Sequence, residues 1–285
     1  MIDLHTHSSV SDGTDTPAEL VAKAAAAGLD TVALTDHDTF DGLGQAAAAA
    51  APAGIRLVPG IEISAEREGA SVHLLGYFCD VANPALAAEL AKIREGRGRR
   101  IPAMLDKLAA LGMPVSEQEV AAQAGDAPSV GRPHVADALV AKGYAASRDE
   151  VFSRWLADDG PAFVPRYSVP LERGIDLVHA AGGVAVIAHP WSRVSRTVLD
   201  EDVLTRLAAG HGLDGIEADH LDHDEATRQE LYAIARRAGL LVTGGSDYHG
   251  AGKTGHDLGS RTTTPGVLAQ IERRATAEGT VRLAH

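Results

Sequence analysis

The chain begins with a metal-binding spacing: His5 and His7 stand two apart, directly behind the short apolar run Ile2–Leu4. In extended backbone alternate side chains share a face, so both imidazoles aim the same way. One such pair could equally be two surface histidines at a strand end, but the arrangement recurs. Thr35-Asp36-His37-Asp38 follows the run Thr31–Leu34, Gly60-Ile61-Glu62 follows Ile55–Val58, and His73 lies within Val72–Phe78. His189-Pro190 closes Val184–Ala188, and Ser246-Asp247-Tyr248-His249 follows Leu240–Thr243. Imidazoles and carboxylates at so many strand ends point to a polynuclear metal centre. With no thiolate among them, the donors suit Mn²⁺, Fe²⁺ or Zn²⁺. Divalent ions so held make hydroxide available at neutral pH and neutralise a phosphoryl group under attack, which favours phosphoester hydrolysis.

The elements that must position these residues are legible in the same stretches. With Gly215–Glu217 the apolar runs make seven strands, separated by alanine-rich helical segments. Thr16-Pro17-Ala18-Glu19 has the form of a helix start, with a capping threonine, proline at the first helical position and glutamate three residues after the cap. Asp41 to Ala51 reads as a second helix, closed by Pro52 and Gly54. A strand, helix, strand rhythm implies parallel βα units, and seven of them predict a barrel or near-barrel, the doubly wound sheet being the alternative. In parallel βα folds the loops at the C-terminal strand ends gather on one face, where the ligand candidates fall. Between about Ala91 and Pro165 the rhythm gives way to successive helices. The expected organisation is therefore barrel over 1–98 and 165–285, with a helical insertion domain over 99–164. Its basic leading segment, Arg94, Arg97, Arg99 and Arg100, is either a solvated helix face or a face turned to an anionic ligand.

Composition narrows the classes further. The formal charge of −13 argues against a general grip on a nucleic-acid backbone, and 4% aromatic residues disfavour stacking platforms for long single strands. A phosphate-bearing substrate stays open if metal ions supply the positive field. A single cysteine, Cys79, excludes an internal disulfide and reads as a buried, inert thiol. The first residues carry no basic and apolar leader, and no run reaches the ~18 apolar residues of a membrane helix, so a cytoplasmic location is expected.

In the order DLHTHSSVSDGTDTP, ALTDHDTFDG, PGIEIS, VHLLGY, GRPHVADALV, AHP and GGSDYHG, the motifs resemble the polymerase and histidinol phosphatase (PHP) family of metal-dependent phosphoesterases. The likeness spans most of the chain and implies a distorted (β/α)7 barrel. The insertion carrying GRPH is similar to that of nucleoside 3′,5′-bisphosphate phosphatases, a branch that includes 5′-to-3′ exonucleases on short RNA. Three metals are implied: His5, His7, Glu62 and Asp247 for the first, Glu62 with His73 and His134 for the second, and Asp12, His37 and His249 for the third. Asp12 departs from branches with histidine there, and an oxygen donor tilts the preference towards Mn²⁺.

Arg132 becomes a candidate phosphate clamp, since a guanidinium fork matches phosphate oxygens. His189 would contact the scissile phosphate or protonate the leaving ribose oxygen, or else serve only as a histidine oriented by Pro190. His220 and His223 match no family ligand position, and His179, His211, His256 and His285 read as surface or helix residues. The implied activity is removal of the 3′-phosphate from nucleoside 3′,5′-bisphosphates. Exonuclease action on short 5′-phosphorylated RNA, histidinol phosphatase activity and a degenerate, non-catalytic PHP module are the alternatives. The implied partner is a small phosphorylated nucleotide, with short RNA as a second candidate; neither a membrane nor an obligate protein partner is expected.

Overall fold

Strand β1 (Ile2–Asp3) pairs in parallel with β2 (Thr31–Leu34), and β2 with the long β3 (Arg56–Arg67). Helix α1 (Pro17–Ala26) crosses between the first two, with the expected cap: the Thr16 side chain accepts from the Glu19 amide and Glu19 reaches back. Helix α2 (Leu43–Ala53) crosses between the next two, takes Pro52 into its last turn and stops at left-handed Gly54. The computed structural model from which these elements are read describes residues 1–158, 160–192 and 195–278.

The parallel rhythm then breaks. Instead of ending at Val58, β3 runs through the PGIEIS motif to Arg67 and turns back into β4 (Ala70–Tyr77) as an antiparallel hairpin. The turn is Glu68-Gly69, both at positive φ (51° and 81°), the two-residue geometry whose twist matches paired strands. With only two residues available, no helix can intervene. After β4, the chain forms α3 (Pro84–Arg99), α4 (Ile101–Ala110), α5 (Glu117–Ala124), α6 (Arg132–Ala141) and α7 (Arg148–Val151), the last continuing into a wider π-turn at Phe152–Leu156. Met104, Leu105, Leu108, Val120, Val135, Leu139, Val151 and Leu156 bury one another in an apolar cluster of their own, apart from the barrel core.

Two residues, Val169–Pro170, return as β5 against β3, too short for a sequence signal. Helix α8 (Leu171–Ala180) leads to β6 (Val184–Ile187), which is antiparallel to β4; α9 (Glu201–His211), β7 (Gly215–Asp219), α10 (Glu225–Ala238) and β8 (Leu241–Gly244) restore the parallel order. The path β1-β2-β3-β4-β6-β7-β8 is a nearly closed, distorted seven-stranded barrel. Its seam is drawn together by a parallel bridge between Thr6 and Tyr248. Leu4, Val58, Leu75, Tyr77 and Val186 fill the interior beneath the rim, and α11 (Pro265–Glu278) covers that end with Leu268 and Ile271.

Candidate metal centre

The closing seam brings the first and last motifs together. The Asp247 amide donates to the His5 carbonyl (2.9 Å) and the His7 amide to the Tyr248 carbonyl (2.8 Å). This approach requires Gly245, because a Cβ there would lie 2.4 Å from His5 Cβ and 2.9 Å from Glu217 Oε1. On the hairpin, Glu62 and His73 are diagonal neighbours on one face, since Glu62 pairs with Leu75 and Ser64 with His73.

In the first set of ligand atoms, His5 Nε2 and His7 Nε2 are 3.1 Å apart. Glu62 Oε2 lies 3.4 and 3.1 Å from them, and Asp247 Oδ1 3.5 and 3.4 Å. A second set joins His7, Asp12, His37 and His249, with Asp12 Oδ1 3.3 Å from His249 Nε2 and Oδ2 3.7 Å from His37 Nε2. The other Glu62 oxygen, Oε1, faces His73 Nδ1 at 2.7 Å and His189 Nε2 at 3.2 Å. Glu62 therefore stands between sets, with His37 Nδ1 3.1 Å from its Oε2.

These residues fit divalent cations on the structure's own terms. His7 Nδ1 is buried without a hydrogen-bond partner, and the facing Nε2 atoms of His5 and His7 converge with two carboxylates. Such a cluster of buried lone pairs is satisfied by an ion. The electrostatics agree. Burial opposes the charged form of His7, yet Asp247 and Glu62 push its imidazole up to about 10. His5 is likewise raised, against burial, by Glu217, Glu62 and Asp247. His37, where burial dominates, is driven down to about 3. Burial works against ionised Glu62, but His37, His73 and His5 hold its carboxyl well below the usual range.

A ring of buried groups that the motif reading did not assign to a metal fixes these candidate ligands. Glu217 spans His5 Nδ1 (3.0 and 3.1 Å) and accepts from the His189 amide (3.0 Å), which leaves His5 Nε2 free to coordinate. Asp36 accepts from Ser8 and Ser11, holding the loop that carries Asp12. Asp38 accepts from the Ser64 amide and hydroxyl and from Arg97 Nε, tying the loop after β2 to β3 and α3. Asp38, His189 and Asp247 all sit at positive φ (58°, 26° and 53°), strain concentrated where side chains must be aimed.

Not every anticipated residue joins a set. His134 is buried at the start of α6, but its Nδ1 accepts from the Gly131 amide, so the neutral ring carries its proton on Nε2. Among the described residues neither His134 nor His189 joins the convergent groups, but His189 Nε2 touches Glu62 Oε1. Arg132 borders the cavity above the rim, bonded to Asp158 (2.6 Å) and the Leu156 carbonyl. His220 and His256 are buried beside Asp247. His220 Nδ1 accepts from the Asp222 amide, however, which turns Nε2–H towards Asp247 Oδ2 at 3.4 Å. The His223 nitrogens face the carbonyls of Ala218 and Pro190, tying β7 to the loop after β6. His179 and His211 pair with Asp214 and Asp176, and His285 lies outside the described residues. Cys79 is buried, and burial pushes its thiol up to about 12.

Between the rim and the insertion lies a cavity of about 530 Å³. Its floor holds Asp12, His37, Glu62, His73, His189, Asp247 and His249. Arg97, Arg100, Arg132, Arg148, Arg166 and Lys253 line it, with Pro133, Phe152 and Ala157 as an apolar side.

A ligand-rich barrel rim under a basic cavity is the architecture of a metal-dependent phosphoric ester hydrolase. The chain belongs to the PHP family: the PHP domain model matches residues 3–115, and relatives resemble nearly the whole chain. It is 37% identical to the 3′,5′-nucleoside bisphosphate phosphatase of Chromobacterium violaceum over 97% of this chain and 96% of that one. It is 34% identical to the 5′-3′ exoribonuclease Rnm of Escherichia coli, covering 87% of this chain and 84% of that one. Among solved structures, a Bifidobacterium adolescentis protein assigned to the metal-dependent phosphoesterases superposes with a TM-score of 0.92 at 37% identity, covering 98% of this chain and 96% of that one. Among the described residues no helix is long and apolar enough to cross a membrane.

Proposed function

We propose that the protein removes the 3′-phosphate of nucleoside 3′,5′-bisphosphates, giving a nucleoside 5′-monophosphate and phosphate. The observation that carries this reading is the single cavity that joins the ligand sets at its floor to buried arginines and an apolar wall. Such a space has a place for each part of the substrate: reacting phosphate, second phosphate and base.

His5, His7, Glu62 and Asp247 are assigned to the first metal, and Asp12, His37 and His249 to the third. For the second, His189 takes the place anticipated for His134, because its Nε2 shares Glu62 Oε1 with His73. Divalent ions bound there supply a nucleophile at neutral pH and neutralise phosphoryl charge. Asp12 in the third set favours Mn²⁺ over Fe²⁺ or Zn²⁺. Glu217 keeps His5 in the coordinating tautomer and braces the backbone of His189. Lys253, paired with Asp247 Oδ2, places a further cation at the cavity edge. Arg100, Arg132 and Arg166 hold the 5′-phosphate, while Phe152 and Pro133 flank the base. The bond broken joins phosphorus to the ribose O3′.

A second reading, exonuclease action on short 5′-phosphorylated RNA, is favoured by the likeness to the E. coli exoribonuclease. It uses the same centre on a diester and leaves the same 5′-nucleotide. A cytoplasmic enzyme without an obligate protein partner fits either reading. Incubating Mn²⁺-loaded enzyme separately with adenosine 3′,5′-bisphosphate and a labelled 5′-phosphorylated oligonucleotide tests both. Rapid phosphate release from the bisphosphate supports the phosphatase; mononucleotides from the oligomer with an untouched bisphosphate overturn it.

A further inference from the structure

Three of the arginines that line the metal-site cavity also line another. A second cavity of about 510 Å³ shares Arg100, Arg132, Asp158 and Arg166 with the first. Its remaining wall comes from the β3–β4 hairpin, including Ser71, and from the segment carrying Tyr167 and Ser168. Three guanidinium groups and one carboxylate thus form a partition between two spaces, and Arg132 already engages that carboxylate at 2.6 Å.

Three guanidinium groups border the second cavity against two carboxylates, Asp158 and Glu66, and Glu66 Oε2 already accepts from the Gly69 amide. Arg100 is 5% exposed, its Nε has no hydrogen-bond partner, and its Nη1 reaches only the Val164 carbonyl at 3.3 Å. Burial, with Arg132, Arg166 and Arg97 as like-charged neighbours, pushes the Arg100 guanidinium down to about 8. Burial, then Arg97, pushes Arg166 to about 9. Arginine resists giving up its proton, so the crowding is relieved by an anion instead. One phosphate within the first cavity would meet this wall from one side and leave the other side unanswered.

Resting on the assignment of the first cavity to the nucleotide, we propose that the second cavity receives the outer phosphate of a 5′-diphosphate. Nucleoside 3′-phosphate 5′-diphosphates are then substrates as well. The α-phosphate lies on the metal-site side of the arginines and the β-phosphate crosses to the other. The reaction is unchanged: water cleaves the O3′–phosphorus bond, phosphate leaves, and the 5′-anhydride stays intact in the nucleoside 5′-diphosphate product.

The test compares kcat/KM for adenosine 3′,5′-bisphosphate and adenosine 3′-phosphate 5′-diphosphate in Mn²⁺-loaded wild type, Ser71→Trp and Ser71→Leu. Ser71 lines the second cavity and not the first. Wild type is expected to use both substrates, and Ser71→Trp to lose about tenfold or more on the diphosphate alone, the loss of one or two charged hydrogen bonds. Ser71→Leu, the smaller filling, should give the same selective effect in weaker form if the tryptophan variant does not fold. Good hydrolysis of the bisphosphate with rejection of the diphosphate by wild type overturns the inference. So does a diphosphate rate untouched by both fillings, or one that falls in step with the bisphosphate rate. Failure of wild type on both substrates overturns the underlying phosphatase reading along with it.

Discussion

Glu62 touches five imidazoles with two oxygens, and the residues behind it decide which atoms it meets. Glu217 is the clearest of these supports. Replacing it with Gln removes the charge that fixes the His5 tautomer, and metal affinity measured by titration calorimetry should fall about 10–100-fold while the fold persists. A second expectation follows from the raised His5 and His7 imidazoles. In the metal-free protein at pH 7 His7, at about 10, holds a proton that coordination must displace. Apparent metal affinity should therefore rise with pH, and calorimetry in buffers of different ionisation heat should show protons released on binding. No proton release would contradict the ligand assignment. The convergence of the candidate ligands was largely legible, since HxH, DH, the lone Glu and DxH fall at strand ends whose direction is set by backbone periodicity. Glu217 was not, because a glutamate at the end of an apolar run looks the same whether it holds a metal or a histidine. His134 and His189 show the converse limit: both follow a plausible pattern, and what separates them is that His189 Nε2 meets Glu62 Oε1 while His134 Nδ1 accepts from the Gly131 amide.

At the scale of elements, the strand rhythm gave the barrel and its seven-strand path, but not the direction of every strand. A run of apolar residues reads the same in parallel and antiparallel pairing, and the deciding feature, Glu68-Gly69, is two residues long. That hairpin matters to the site, because it puts Glu62 and His73 on one face. The run of helices after β4 was legible as a break in rhythm, and its apolar cluster makes it sensitive to truncation. Leu139→Ala, at a fully buried position, should cost about 2–5 kcal/mol in urea unfolding. Elements on the opposite side meet at Asp214, which binds His179 of α8 (3.0 Å), the Ala185 amide of β6 (3.0 Å) and Arg274 of α11 (2.7 Å). Burial opposes its ionisation, but His179, the Ala185 amide and Arg274 hold its carboxyl below the usual value. The unfolded chain then takes up the proton first as pH falls, so this stabilisation is present above about pH 4 and lost below it. Asp214→Asn should lower the urea midpoint at neutral pH and flatten its fall in acid; parallel profiles would contradict the tie.

Across the whole molecule, an acidic chain of net charge −13 encloses a cavity lined with arginines over a floor built for cations. The balance of charge disfavours a long polyanion, while the local field suits a small one. The cavity lies between the barrel rim and the insertion, and neither part alone supplies both ends of the substrate. Its arginines come from α3, α6, α7 and the chain around them, far apart in sequence, which is why composition could not show that they converge. The central claim is that the enzyme reads two phosphates at once. Its most direct test is kcat/KM for adenosine 3′,5′-bisphosphate against adenosine 3′-monophosphate, with enzyme stripped by chelator and reloaded with Mn²⁺. Buried charged hydrogen bonds to the 5′-phosphate predict a preference of about a hundredfold for the bisphosphate, with no activity before reloading. Equal rates on the two substrates would contradict the account.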